Sequence, residues 1–413
     1  LKKISTDVLV VGAGAAGIAA AVSASRMGKA VVLVDPSLRL GGNATAAEVG
    51  TVCGLFHNTF TDTEYAVAGF AKAFCKDLAT LSGTVPVSTK EGIHFLPYHI
   101  DAFEVLAKKY LSNDNMLLLQ GSALKEANVE EGSISSCRLT GNNESVVIPR
   151  SVVDCSGNSI VARLSGQRVI SEATYQSAAQ IFRMKRIKEE REDRLSLNII
   201  KAMKQAGTET GLDKELKIYL VPGSLKEGSA SFKIALPFSV TNASENDMEF
   251  QLRSRELAFR IADIFKSRIY SFSEASLDHV AEKTGFRVAA RTMGRNVLTG
   301  DHVRNCKKSA EGIAVGTWPM EIWKEDGSVS MSYLPEYGYY EIPAGCLIAE
   351  ALENLFVGGR IISADSEAIA SARVMGTCLQ TGFAAGYLAA AAIDKIPLDQ
   401  AVRAIRASEL PYL

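Results

Sequence analysis

The period of the apolar positions changes along the chain, and the elements follow from it. Val8 to Val11 is an unbroken apolar run, as in a parallel strand covered on both faces, and Ala30 to Val34 is a second. Between them Ala15 to Met27, rich in small residues, predicts a helix stopped by Gly28. Tyr65 to Leu81 and Asp101 to Leu111 carry apolar residues at helical spacing. Met116 to Gln120 is strand-like and runs into Ala123 and Leu124. Ile134 to Leu139 and Ser145 to Ile148 flank the turn Gly141-Asn-Asn143 as a β-hairpin. Ser151 to Val153 predicts a buried strand that delivers Asp154, Ser156 and Gly157. Beyond Ser171 the texture shifts. Arg183 to Arg194 is densely charged and reads as a solvated face or loop, Ser231 to Phe238 alternates like a strand, and Asp247 to Arg268 predicts a long amphipathic helix. Near the end, Asn354 to Val357 is a buried strand. Gly376 to Ile393 is an alanine-rich helix with Gly382 and Gly386 on one face.

The first strand breaks at Gly12, Gly14 and Gly17, which fit G-x-G-x-x-G, and the second ends in Asp35, eighteen residues past Gly17. The first glycine serves the tight turn, the second lets backbone approach a pyrophosphate, and the third lets helix and strand pack closely. The helix start offers unbonded N–H groups to phosphates, and Asp35 is placed to accept from a ribose hydroxyl. Strand, glycines, helix and acid together predict a dinucleotide site. A further pair, Gly41 and Gly42, follows the second strand and suits either a close approach to a ligand or an ordinary loop.

Composition narrows the reading. With 413 residues, two intertwined domains are expected, and 47% hydrophobic with 22% charged residues suits an ordinary soluble protein with a large core. The 45 Lys and Arg nearly balance the 46 Asp and Glu, so neither nucleic acid nor an anionic membrane is expected as main partner. The seven cysteines form no C-x-x-C and no zinc spacing, which predicts reduced, mostly buried thiols. Thr377 to Ile393, the most apolar stretch, is too interrupted for a membrane span. A cytoplasmic location is expected, although a start at Leu1 leaves a removed leader open.

The motifs resemble, in order and over nearly the whole chain, those of the bacterial FAD-dependent oxidoreductase family. That family is of the glutathione-reductase-type superfamily and distantly similar to fumarate reductase and succinate dehydrogenase flavoproteins. The matching segments are Val10–Gly17, Leu40–Thr45, Asp154–Gly157, Gly285–Arg291, Asn354–Arg360, Arg373–Met375 and Gly382–Gly386. The resemblance implies an α/β fold: a Rossmann-like FAD-binding domain from residues 1–170 and 341–413, with an inserted β-rich α+β substrate or cap domain at 171–340. It implies that Gly12, Gly14, Ala15, Ala16 and Gly17 hold the FAD pyrophosphate, Asp35 the ribose, and Gly41, Gly42 and Thr45 the phosphates and flavin side chain. Leu124 would contact adenine through its backbone, Ser156 and Gly157 would close the pocket, and Gly359 and Arg360 would flank the ribityl chain. Val374 and Met375 would lie under the flavin pyrimidine.

The expected activity is hydride transfer between flavin N5 and a small organic substrate. Arg287 and Arg291, four apart and on one face if helical, are candidate anion or oxyanion stabilisers, with structural ion pairs as the plainer reading. Proton transfer is assigned to His57 or Glu321. Where many family members read Asp-x-His, this chain has Glu321-Ile-Trp323, so a ready imidazole is missing there. A disulfide reductase is disfavoured because Cys53 has no near partner. The other classes weighed are a flavin-dependent RNA-modifying protein, against which the balanced charge argues, and a flavin-bound protein without turnover. Oligomeric state is not legible.

Overall fold

In the computed structural model, residues 1–189, 191–209, 216–242, 244 and 247–410 are described. The nucleotide-side elements are β1 (Lys2–Val11), α1 (Ala15–Arg26), β2 (Val31–Asp35), β3 (Met116–Gln120), β4 (Ser122–Glu130), β5 (Ser133–Gly141) and β6 (Ser145–Asp154). The inserted part contributes β7 (Ala179–Lys185), β8 (Ile218–Leu220), β9 (Ala230–Ala235), α2 (Met248–Arg268), β10 (Ser276–Val280), β11 (Met320–Trp323) and β12 (Val329–Ser332). The chain then returns through β13 (Leu355–Val357), α3 (Ser366–Ala372) and α4 (Met375–Ile393).

The main sheet is parallel across β3, β2, β1, β6 and β13, and the antiparallel β4–β5 hairpin extends it from β6. β6 changes neighbour along its length. Its first half pairs with β5, while Val152 to Asp154 pair with Leu355 to Val357 from the far end of the chain. Strands covered on both faces need continuous apolar runs, and Val31 to Asp35 is buried throughout. Helix α4 lies against α1 at two glycines: a Cβ on Gly382 would land on the Ala16 carbonyl, and one on Gly386 on the Ala20 carbonyl, a turn further along. Only glycine permits backbones this close.

The second sheet is antiparallel, in the order β8-β9-β7-β10. Its strands alternate with period two. Phe182 and Phe232 point to one face, where they meet Phe265 and Phe272 in an aromatic core under α2. Ser231 and Lys233 point to the other. Within the charged stretch 183–194, read as a solvated face or loop, Arg183 and Lys185 are an exposed face of β7 that pairs with Asp278 at the sheet's edge, and residue 190 lies outside the described residues. None of the described helices is long and apolar enough to cross a membrane.

Candidate functional site

Two helix starts, those of α1 and α4, are capped by no side chain among the described residues. At α1, Gly12 adopts φ +99° and turns the chain, while a Cβ on Gly17 would strike the Gly12 carbonyl. Gly14 differs: its backbone is ordinary and a Cβ there would meet nothing within 4 Å. The glycine therefore answers to no protein neighbour. Ala15, Ala16 and Gly17 follow as the first helical turn, whose N–H groups carry the positive end of the helix dipole.

The Gly41-Gly42 loop folds onto this turn. Gly41 N donates to Ala13 O at 2.8 Å, and both glycines have positive φ. Thr45 is fully buried with its hydroxyl donating to Leu40 O at 2.5 Å, so its side chain shapes the turn from within. Asp35 accepts from Ala13 N (2.6 Å) and Ser37 N (2.8 Å). Each carboxylate oxygen keeps a further lone pair. Burial pushes its pKa up, against the two backbone bonds. Leu124 sits beside a bulge in β4, where pairing with β5 slips by a residue.

The distal motifs close on the same place. Arg360 Nε donates to Gly157 O at 2.7 Å, and its guanidinium also donates to Phe286 O, which accepts from Asn43 Nδ2 at 2.9 Å. This joins the early loop, the Ser156-Gly157 return and the late Gly359-Arg360 segment. Ser156 itself accepts from Asp154's successor turn through Ile160 N at 3.3 Å. Gly359 takes φ +80° with its Cβ position against Ala16. At the start of α4, after Val374 and Met375, Gly376 N donates to Cys53 O at 2.9 Å. The Thr377 hydroxyl next to it is buried with no hydrogen-bond partner among the described residues. An uncapped helix start, an orphan hydroxyl and a glycine whose Cβ position is open fit a dinucleotide whose pyrophosphate lies at α1 and whose ring lies at α4.

Beside α4 is a cluster in which three cations surround one carboxylate. Glu321, on β11, accepts from Trp318 Nε1 at 3.2 Å and lies 3.5 Å from Arg373, whose Nη2 also bonds the Glu321 carbonyl (3.0 Å) and Gln176 (3.3 Å). Arg287 stacks on the Trp323 ring at 4.0 Å and bonds Ser177 O. Lys233 lies over the same ring at 4.6 Å and over Tyr219 at 5.4 Å. Burial tends to raise the Glu321 pKa, but Arg373, Lys233 and Arg287 together hold it below the usual carboxylate range. Enclosure and mutual repulsion act the other way on the cations: Lys233 is lowered to about 8 and Arg287 to about 9. Burial pushes the Cys53 thiol up to about 12, which removes it as a ready nucleophile.

The structure puts the four candidate side chains in different surroundings. The segment from Gly285 to Ala290 is not helical. Gly285 exchanges two backbone bonds with Ala179, and Arg291 begins a short strand pairing with Val169–Ile170. Arg287 and Arg291 therefore part company. Arg291 is fully buried and spent on Glu172, Ala364 O (2.8 Å) and Ala289 O (3.3 Å), a structural ion pair. His57 is not brought to Glu321. It rests against Tyr337 and Tyr339, near Glu64 and Lys308, and burial lowers its pKa. Lys233, Tyr219, Gln176 and Trp318 were not singled out from the sequence. The one signal for Lys233 was a lysine on an otherwise apolar alternating strand. A cleft of about 370 Å³ opens further along the same face of the second sheet, lined by Glu48, Tyr98, Arg183, Ser231 and His279, and by none of the cation cluster.

A family model described as FAD dependent oxidoreductase matches residues 7–410. No curated protein sequence is significantly similar. Among solved structures the chain is similar to OxyS anhydrotetracycline hydroxylase from Streptomyces rimosus (TM-score 0.52, 10% identity, covering 98% of this chain and 65% of that one). It is similar also to CabE, an aromatic hydroxylase from angucycline biosynthesis (TM-score 0.51, 11% identity, 96% and 65%). A geranylgeranyl bacteriochlorophyll reductase-like protein from Thermoplasma acidophilum is another such neighbour (TM-score 0.48, 12% identity, 98% and 83%). At these identities the likeness concerns the fold alone.

Proposed function

The chain belongs to the FAD-dependent oxidoreductase family, it is an enzyme and its cofactor is FAD; on that premise we propose that it transfers a hydride between FAD and a small organic substrate. In this reading residues 1–170 and 341–413 carry the nucleotide, and 171–340 cover the substrate. The sheet pairing of β13 with β6 supports that division. Gly12, Gly14, Ala15, Ala16 and Gly17 would hold the pyrophosphate, Asp35 the ribose, and Gly41, Gly42 and Thr45 the phosphates and flavin side chain. Leu124 would contact the adenine, Ser156 and Gly157 would close the pocket, Gly359 and Arg360 would flank the ribityl chain, and Val374 and Met375 would support the flavin pyrimidine. The carrying observation is the pair Arg287 and Lys233 on the Trp323 ring, with Arg373 bonded to the Glu321 segment beside the uncapped start of α4.

FAD supplies the two-electron carrier. The protein's residues orient the donor and manage charge. Arg287 is the stabiliser of an anion or oxyanion. Glu321, held ionised, is a poor proton donor; its role is to fix Arg373. His57, the other candidate for the proton, has a buried Nδ1 with no hydrogen-bond partner among the described residues and a lowered pKa, which suit a neutral imidazole able to accept a proton. The test is an anaerobic screen of the FAD-loaded protein with hydroxy acids, amines and sugars, and of the dithionite-reduced protein with unsaturated acids, quinones and oxygen. Bleaching by one donor class is expected. If dithionite bleaches the flavin but no donor does and no organic acceptor restores it, the reading is wrong.

A further inference from the structure

The cluster beside α4 is electrically unfinished. Three cations face one carboxylate in a partly exposed cleft, so the excess positive charge is open to an anion that enters from solvent. Among the described residues Arg287 has backbone and ring partners alone, the Ser177 carbonyl and the Trp323 face. Arg373 satisfies its Nη2, but its Nε is buried with no hydrogen-bond partner. Among the described residues Lys233 makes ring contacts and no hydrogen bond. An ammonium gains from two aromatic faces, yet that leaves its three N–H donors without an acceptor among the described residues. Neighbouring positions on the sheet do not supply one, since Lys233 is flanked by Tyr219 on β8 and Ile181 on β7.

We propose that Lys233 and Arg287, both against the Trp323 ring and repelling each other, form with nearby Arg373 a subsite for a carboxylate of the substrate. This rests on the hydride-transfer reading and narrows it to organic acids. A carboxylate would accept from Lys233 and Arg287 at once, and charge-assisted bonds of this kind are the strong ones. It would also leave Glu321 where it is, bonded to Trp318 and Arg373. The groups facing Lys233 are Arg287, Arg373, Glu321, Cys53 and Tyr219. Of these, Lys233 titrates first above neutrality, near 8, because burial and the two arginines oppose its charge more than Glu321 supports it. Binding therefore favours the protonated amine: affinity is highest between the ligand's own carboxyl pKa and that value, and above it falls by as much as removal of the amine costs.

The experiment is equilibrium titration of the oxidised, FAD-loaded full chain with acetate, succinate and benzoate, each against its neutral amide, read by calorimetry and by perturbation of the flavin spectrum. Carboxylates bind and amides do not, and Lys233→Met weakens carboxylate binding by about 10- to 100-fold. Lys233→Arg restores most of it and removes the loss near pH 8, a recovery that a merely structural role would not give. The proposal is overturned if no carboxylate binds the wild-type protein, if amides bind equally, or if Lys233→Met leaves affinity unchanged while shifting only the flavin midpoint potential. The last result would assign the cations to the reduced flavin. Reduction of the flavin by a neutral donor, with no carboxylate binding, would leave hydride transfer standing and this subsite refuted.

Discussion

Gly14 and Gly17 lie three positions apart in one turn and answer to different masters. A side chain at Gly17 would strike the Gly12 carbonyl, whereas one at Gly14 meets open space and needs no unusual backbone angle. Gly14→Val is therefore expected to fold with a melting temperature close to that of the FAD-free wild type, while failing to retain FAD, measured as flavin released per protein on denaturation. Thr377→Val tests the other end of the nucleotide. Removing a buried hydroxyl that has no partner spares a desolvation cost of about 1–3 kcal/mol. The FAD-free variant should be as stable as wild type or more so, and its FAD should dissociate faster. Equal dissociation would mean the hydroxyl never meets the cofactor. The glycine turn was legible in the sequence because spacing alone dictates it. Lys233 was not, since its meaning depends on Trp323 and Arg287, ninety and fifty-four residues away.

At the scale of elements, periodicity predicted most of the nucleotide side well, since buried parallel strands and small-residue helices leave strong patterns. The Ala15–Arg26 and Met375–Ile393 helices and the parallel strands stand where the apolar runs place them. The Gly285–Arg291 stretch misled because its arginine spacing suits a helix, whereas Gly285 and the sheet edge at Ala179 hold it extended. The α1–α4 contact gives a direct test. Gly386→Ala forces a methyl onto the Ala20 carbonyl, and overpacking of this kind costs about 1–3 kcal/mol. The denaturation midpoint of the FAD-free protein should fall accordingly; no change would mean the helices are free to separate. The loop carrying Glu48 meets the second sheet through His279, at 2.8 Å. The Glu48 bond and nearby Asp278 raise the His279 pKa. The pair's stabilisation is thus fully present below the ordinary histidine value and lost as pH rises through the raised one. Exposure keeps it small. The difference in melting temperature between wild type and His279→Gln should close as pH climbs from acid to alkaline.

At the scale of the molecule, the parallel sheet is completed only when β13 reaches β6, and the last helix lies on the first. A fragment of residues 1–340 should therefore neither hold FAD nor show cooperative unfolding, whereas two sequential domains would leave it folded. The family and cofactor were legible from motif order alone. The covering sheet's contribution was not, because it comes from single residues on separate strands with no fixed spacing. The central claim is that a hydride crosses between FAD and a small organic acid held beside α4. The most direct measurement is the anaerobic rate of flavin bleaching by the active donor with protium or deuterium on its reacting carbon. The account predicts bleaching slowed severalfold by deuterium, and slowed further in Arg287→Met. Bleaching at the same rate with either isotope, with the chemical step shown to limit the rate, would contradict it.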